Sequence, residues 1–373
     1  MRYYLLAGEA SGDLHGANLV RALQDIDSAA ILQGWGGDLM NEAGVKVTKH
    51  YRDLAFMGFY EVVKNLGTIR RNFSICKKEI LDFAPDVLIL IDYPGFNLRM
   101  AKWAKKKGIR VVYYISPQIW AWHTSRVHQI KKTVDRMLVI LPFEKAFYQQ
   151  YNYSVDFVGH PLLDHLENVP SADDFRKKHQ LDDRPVIALL PGSRKQEIKK
   201  MLAGMLAVVP DFPNYQFVIA GAPAIPSAYY RNLVDQFGLN ELSSPVIINN
   251  QTYPLLSLSH AALVTSGTAT LETALFEVPQ VVCYTGNPLS FQLARRLVKV
   301  NYISLVNLVL DQPLVTELIQ HDFNKKKITT ELNKILSDKH RIEMMAGYHD
   351  LKKVLGERGA SQRAAKVIKD FLI

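Results

Sequence analysis

The sequence predicts an α/β protein made of two doubly wound, Rossmann-like domains that face a cleft and end in a helical tail. Three observations carry this expectation. Short β-rich runs alternate with helical stretches. The alternation breaks once, in a polar segment, and then restarts. At 373 residues the chain is also too long for one ordinary core. Strands that alternate with helices imply right-handed βαβ units and a parallel sheet.

The elements follow in order. In the first domain, expected over residues 1–165, Arg2–Ala7, Ala30–Trp35, Val87–Asp92, Arg110–Ile115, Arg136–Leu141 and Val155–Val158 read as strands. Among the helices between them, Met100–Lys107 stops at Gly108, a favoured residue just past a helix end. From Pro161 to Arg184 the chain turns polar and charged, with Pro170 and Pro185 as punctuation, and the linker is placed there. In the second domain, expected over 166–345, Val186–Leu190, Tyr215–Ala220, Val246–Ile248, Ala261–Thr265 and Gln280–Tyr284 are the strands. Gln196–Val209, Ser227–Phe237, Thr268–Phe276 and Ser290–Val300 are the intervening helices. After Pro313 only helical signals remain, and residues 346–373 either cross back to the first domain or swap into a partner as a homodimer. The two halves show architectural repetition without apparent sequence identity.

Composition narrows the class. A chain with 48% hydrophobic and 22% charged residues is that of a soluble globular enzyme. The longest apolar runs, such as Val87–Ile91 and Met137–Leu141, are strand-length and far short of a bilayer span. Arg2 leads directly into a strand, so no secretory signal is expected. Cys76 and Cys283 stand far apart with no metal-ligand pattern around them and read as reduced packing residues. A net charge of +9 asks for an anionic partner: a phosphorylated substrate, an anionic membrane face or nucleic acid. Nucleic acid ranks last, since no recognisable nucleic-acid module accompanies the charge.

Four turns carry candidate chemistry. Gly8-Glu9-Ala10-Ser11-Gly12-Asp13 joins the first strand to the first helix, where doubly wound proteins bind ligands. Its glycines do not fit G-x-G-x-x-G, and its two carboxylates repel phosphate, so a sugar or hydroxyl acceptor suits it better. The plainer reading is a tight turn with Ser11 or Asp13 as N-cap. Asp92-Tyr93-Pro94-Gly95-Phe96-Asn97 ends a buried strand on the same sheet edge. Asp92 there is a general base if it reaches a hydroxyl, or a turn-capping residue before Pro94. In the second half, Pro191-Gly192-Ser193-Arg194 offers a close backbone approach and a guanidinium fork matched to phosphate oxygens. Ser266-Gly267-Thr268-Ala269-Thr270 again opens a helix after a strand, and its free amides suit an anion. Glu272 lies one helical turn past Thr268, placed for a ribose diol. Each turn alone is an ordinary capped helix; together in one domain they point to a diphosphate nucleotide. Ser116–Trp122 adds two indoles suited to sugar or acyl contact, or to the core. His15 and His123 are left outside the catalytic set.

The Gly8–Asp13 loop, Asp92–Asn97, Ser116–Trp122, Gly159-His160-Pro161, Leu190–Arg194, Ser266–Glu272 and Tyr302-Ile303-Ser304-Leu305-Val306-Asn307 fall in the order seen in the lipid-A-disaccharide synthase family. The resemblance spans essentially the whole chain. It implies a GT-B-type fold, with nucleotide sugar on the C-terminal domain and acceptor on the N-terminal one. It also implies Asp92 as general base, Ser11 and Asp13 as functional positions, Arg194 as a diphosphate contact and Asn307 as an active-site asparagine. Val306 departs from the proline usual before that asparagine.

The resemblance further implies an inverting transfer from UDP-2,3-diacylglucosamine to 2,3-diacylglucosamine 1-phosphate. The product is a β-1,6-linked disaccharide 1-phosphate, with UDP released. No Asp-x-Asp metal motif appears in a suitable loop, so no metal and no cofactor are expected. A UDP-sugar epimerase or another UDP-sugar transferase of the same fold, and a non-catalytic membrane-surface protein, are the rivals. A nicotinamide dehydrogenase lacks its glycine motif here.

Between Leu54 and Phe73, apolar Phe56, Met57, Phe59, Tyr60, Val63, Leu66 and Ile69 interleave with Lys64, Arg70 and Arg71. This reads either as a basic amphipathic segment on an anionic leaflet, admitting acyl chains, or as a core-facing helix with a solvated basic face. With the family's acyl substrates the first reading is preferred, at the cytoplasmic face of the bacterial inner membrane.

Overall fold

The computed structural model describes residues 1–54, 66–122, 124–165, 172–240, 243–287, 291 and 300–373. They form two compact units, Met1–Asp164 with Leu355–Ile373, and His165–Val354.

The first unit holds seven parallel strands: β1 (Arg2–Ala7), β2 (Ile31–Gly36), β3 (Lys46–His50), β4 (Val87–Ile91), β5 (Arg110–Tyr114), β6 (Arg136–Val139) and β7 (Asp156–Phe157). Their order is β3-β2-β1-β4-β5-β6-β7. The direction of winding therefore reverses between β1 and β4, whose register pairs Ala7 with Ile91. Buried parallel strands are covered on both faces, and the side chains divide with period two. Tyr3, Leu5, Ala7, Val87, Ile89 and Ile91 join one core layer. Tyr4, Leu6, Leu88 and Leu90 join the other. The first layer is roofed by helix Ala10–Ile26 and by the last helix, Ala360–Leu372, which pack against each other. That last helix sends Ala364, Ala365 and Ile368 into the core.

Its return to the first sheet is fixed by polar contacts. The carboxylate of Asp164 accepts the amides of Gly359 (2.7 Å), Ala360 (3.4 Å) and Ser361 (3.3 Å), filling the orphan donors of the helix start. Arg363 donates to the carbonyl oxygens of Val158, Arg358 and Glu357. The chain re-enters the first unit at Leu355, nine residues later than the tail boundary expected at 346. Helix Asp338–Leu355 runs unbroken through that expected boundary and ends before Gly356.

The second unit has six parallel strands: β8 (Val186–Leu190), β9 (Gln216–Gly221), β10 (Val246–Asn249), β11 (Ser259–Thr265), β12 (Gln280–Tyr284) and β13 (Thr316–Ile319), in the order β10-β9-β8-β11-β12-β13. The winding reverses between β8 and β11. Val186, Ala188, Leu190, Ala262 and Val264 share one core layer with Phe175, Leu255 and Leu256 from the covering helices.

Two strands correct the sequence reading. β3 alternates two lysines with Val47 and Thr48 on an exposed edge, so it carries no apolar run to announce it. β13, Thr-Glu-Leu-Ile, lies in a region read as wholly helical; only Leu318 of its four residues is buried. The linker region also contains a helix, Ala172–His179, which seats Phe175 in the second core. The expected helix over 290–300 falls almost wholly outside the described residues. Among the described residues no helix is long and apolar enough to cross a membrane.

Candidate active site

Loops after the strands on either side of a winding reversal open at one point of the sheet edge, where open α/β sheets bind ligands. In each unit both candidate turns occupy that place. Residues 8–13 follow β1 and residues 92–97 follow β4; residues 191–194 follow β8 and residues 266–268 follow β11.

In the first unit, Asp92 extends the ladder by donating its amide to Tyr114 O at 3.1 Å, then leaves it sharply. Asp92 and Tyr93 both take left-handed backbone angles, φ 44° and φ 49°. For non-glycine residues this costs of order 1–3 kcal/mol each and is sustained only by surrounding contacts. Tyr93 then caps helix Pro94–Lys106, whose Pro94 needs no amide partner. The Asp92 carboxyl is half-buried. Burial, reinforced by the neighbouring Glu9 carboxylate and opposed by the Tyr93 amide, pushes its pKa up to about 7. Gly8 is required by close approach, because a side chain there would run into the Tyr93 ring.

Ser11 is exposed on the first turn of helix Ala10–Ile26. Asp13 is 3% exposed and faces inward. Its Oδ1 accepts Gly37 N (2.7 Å) and Met40 N (3.1 Å), and its Oδ2 accepts Leu39 N (3.1 Å). It therefore binds the β2 turn to the acidic loop, and both of its oxygens serve backbone amides. Behind the loop after β5, Glu144 is buried; its Oε2 accepts Ile140 N and Leu141 N, its Oε1 accepts Trp120 Nε1, and burial raises its pKa to about 7. Trp120 is thus a core residue packed edge-on against Phe143. His160 is buried, and desolvation lowers its pKa to about 3, which keeps it neutral; its Nδ1 accepts Leu162 N.

In the second unit the two phosphate-type turns differ. Gly192, at φ 105°, makes the bend before helix Lys195–Leu206. The Glu197 carboxylate folds back to accept Ser193 N at 3.1 Å, so the turn supplies its own anion, while Arg194 stays exposed. The turn after β11 is open. Gly267 and Thr268 are exposed, and no side chain caps helix Thr268–Leu275. The Ser266 hydroxyl donates to Ile303 O (2.8 Å), and Thr270 Oγ1 accepts Leu305 N (3.3 Å), tying this turn to residues 303–305. Glu272 is half-buried, with a pKa raised by burial to about 6, and accepts Tyr253 Oη at 3.3 Å.

Asn307 is 1% exposed and spends its amide internally. Its Nδ2 donates to Val315 O (2.9 Å) and Glu317 Oε1 (3.0 Å), while its Oδ1 accepts Val315 N (3.0 Å). Glu317, from the strand missed in the sequence, also accepts the amides of Ile303 and Ser304. The pair shapes the segment that carries Ile303 O. Val306 is fully buried on the same helix.

Phe56, Met57, Phe59 and Val63 lie outside the described residues, as does His123, and Leu66 is the first residue of helix Leu66–Phe83. Helix Leu66–Phe83 presents Arg70 and Arg71 to solvent and turns Phe73 inward to stack on Phe96 at 4.1 Å.

The model of the lipid-A-disaccharide synthetase family matches residues 3–371. The lipid-A-disaccharide synthase of Geobacter sulfurreducens is 38% identical over 377 residues, covering 100% of this chain and 97% of the relative. That of Trichlorobacter lovleyi is 40% identical over 374 residues, covering 98% and 96%.

This chain belongs to the lipid-A-disaccharide synthase family.

As a member it is a glycosyltransferase of lipid A disaccharide synthesis. The fold is also shared with solved structures of low identity. UDP-GlcNAc 2-epimerase from Neisseria meningitidis bound to UDP-GlcNAc has a TM-score of 0.67 at 15% identity, covering 100% of this chain and 99% of its own. The S. aureus MnaA–UDP structure has a TM-score of 0.69 at 13% identity, covering 100% and 96%. At such identities the likeness is one of architecture alone, two Rossmann-like units of the GT-B type. Within the candidate sites of this chain, four partners escaped the sequence reading: Asn97 and Tyr113 beside Asp92, Tyr253 beside Glu272, and Glu317 beside Asn307. Asn97 stood inside a quoted motif; the other three carried no local signal.

Proposed function

We propose that the protein transfers 2,3-diacylglucosamine from UDP-2,3-diacylglucosamine to the 6-hydroxyl of 2,3-diacylglucosamine 1-phosphate. The products are the β-1,6-linked disaccharide 1-phosphate and UDP. Asp92 takes the hydroxyl proton as the oxygen attacks the anomeric carbon from the face opposite the diphosphate. The anomeric C–O bond breaks, its electron pair leaves on UDP, and the configuration inverts. Arg194 and the open start of helix Thr268–Leu275 stabilise the negative charge that grows on the diphosphate, an electrostatic contribution that needs no metal. Glu272 binds the ribose diol, oriented by Tyr253. Ser11, exposed on the acceptor-side loop, contacts the sugar, while Asp13 and Asn307 act by holding their loops in shape. The segment around Leu54–Phe73, with Arg70 and Arg71, rests on an anionic membrane at its cytoplasmic face.

The observation that carries this reading is the Asp92 carboxyl, half-buried at the sheet's winding reversal with a pKa near 7. A base is most effective when its pKa matches the working pH. Replacing Asp92 by Ala is expected to lower turnover about 10²–10⁴-fold, the usual contribution of general-base catalysis. An almost unchanged rate removes the assignment.

A further inference from the structure

The strained bend that presents Asp92 is held through its main chain. The Asp92 carbonyl oxygen accepts two side-chain donors, Tyr113 Oη at 2.6 Å and Asn97 Nδ2 at 2.7 Å. Asn97 Nδ2 also lies 3.2 Å from Ile91 O and 3.3 Å from Leu6 O. One amide with two hydrogens therefore serves the carboxyl ends of both β1 and β4 and the residue that follows β4. Asn97 is fully buried, and its Oδ1 accepts no hydrogen bond. A buried acceptor left idle is costly, and here it accompanies donors that are all in use. Tyr113 comes from β5, on the other side of β4, and burial keeps its hydroxyl protonated and able to donate.

We infer that Asn97 and Tyr113 are positioning residues that clamp the Asp92 carbonyl from two sides and so aim its carboxylate at the acceptor hydroxyl. The inference rests on Asp92 being the base. Removing either donor leaves the carboxylate's chemistry intact and frees the left-handed Asp92–Tyr93 pair to relax toward ordinary backbone angles. The carboxylate then points elsewhere. Misplacing a reacting group by about 1 Å can cost roughly 10²-fold in rate.

The test compares Tyr113→Phe, Asn97→Ser and Asp92→Asn with the unaltered enzyme under steady-state assay with UDP-2,3-diacylglucosamine and the acceptor monosaccharide phosphate. Tyr113→Phe and Asn97→Ser are expected to lower kcat roughly 10–100-fold. The KM for the UDP-sugar stays unchanged, and the acid limb of the pH profile remains near pH 7, because the base is still present. A merely structural pair of residues would shift melting temperature while leaving kcat of the folded fraction intact. If Asn97→Ser does not fold, Tyr113→Phe, which deletes one oxygen, decides. Folded Tyr113→Phe at full kcat, with Asp92→Asn inactive, overturns the clamp and leaves the base assignment standing. Full activity in Asp92→Asn overturns both.

Discussion

At the scale of single residues, Asp92 has its proton affinity set by position. Burial comes first and the Glu9 charge second in raising its pKa to about 7. A base works in its deprotonated form, so kcat/KM is expected to rise with pH through about 7 and then level. Glu9→Gln removes the repelling charge, which lowers the Asp92 pKa. The acid limb of the profile should therefore move to lower pH, as initial rates across pH 5–9 will show; a limb that stays in place contradicts the coupling. The residues that support the site were harder to read than those that stand in it. Asp92 announced itself by ending an apolar strand, and that strand places it at the sheet edge. Tyr113 sits in Arg-Val-Val-Tyr-Tyr, where a tyrosine reads as packing, and only the pairing of β4 with β5 brings its hydroxyl to Asp92. Asp13 could not be placed from its motif alone. Its acidic turn read as suited to a sugar or hydroxyl acceptor, and the first turn of the helix directs it inward to three amides.

At the scale of elements, the buried central strands were legible because parallel strands covered on both faces are near-continuous apolar runs. The edges were not. β3 and β13 are short, half-polar and paired on one side only, so nothing in their composition separates them from loops or helices. The last helix was recognisable as a helix, while its destination depends on Asp164, nearly two hundred residues earlier. Asp164→Ala strips three amides of their acceptor at the start of Ala360–Leu372. Loss of such a cap is expected to cost about 0.5–2 kcal/mol. Thermal melting at neutral pH should show it as a lowered Tm, and an unchanged Tm would show that the cap is idle.

For the whole molecule, net charge and the two sheets describe different halves of its task. The winding reversals put an acidic turn with a raised carboxyl in one unit and an open helix start in the other. A charge of +9, on a protein whose proposed substrates carry acyl chains and phosphates, favours an anionic surface, with attraction falling as salt screens it. Binding to vesicles containing anionic lipid is expected at low salt. It should weaken as salt rises and be lost when Arg70 and Arg71, both exposed, are replaced by Glu. Absence of binding at every salt concentration contradicts membrane contact.

Product analysis with and without the acceptor decides whether the protein transfers one lipid-bearing sugar to another. Purified protein given UDP-2,3-diacylglucosamine and 2,3-diacylglucosamine 1-phosphate should release UDP and form the disaccharide 1-phosphate in equal amounts, with neither product when the acceptor is omitted. UDP release without acceptor, or an epimerised UDP-sugar in place of a disaccharide, would rule out that transfer.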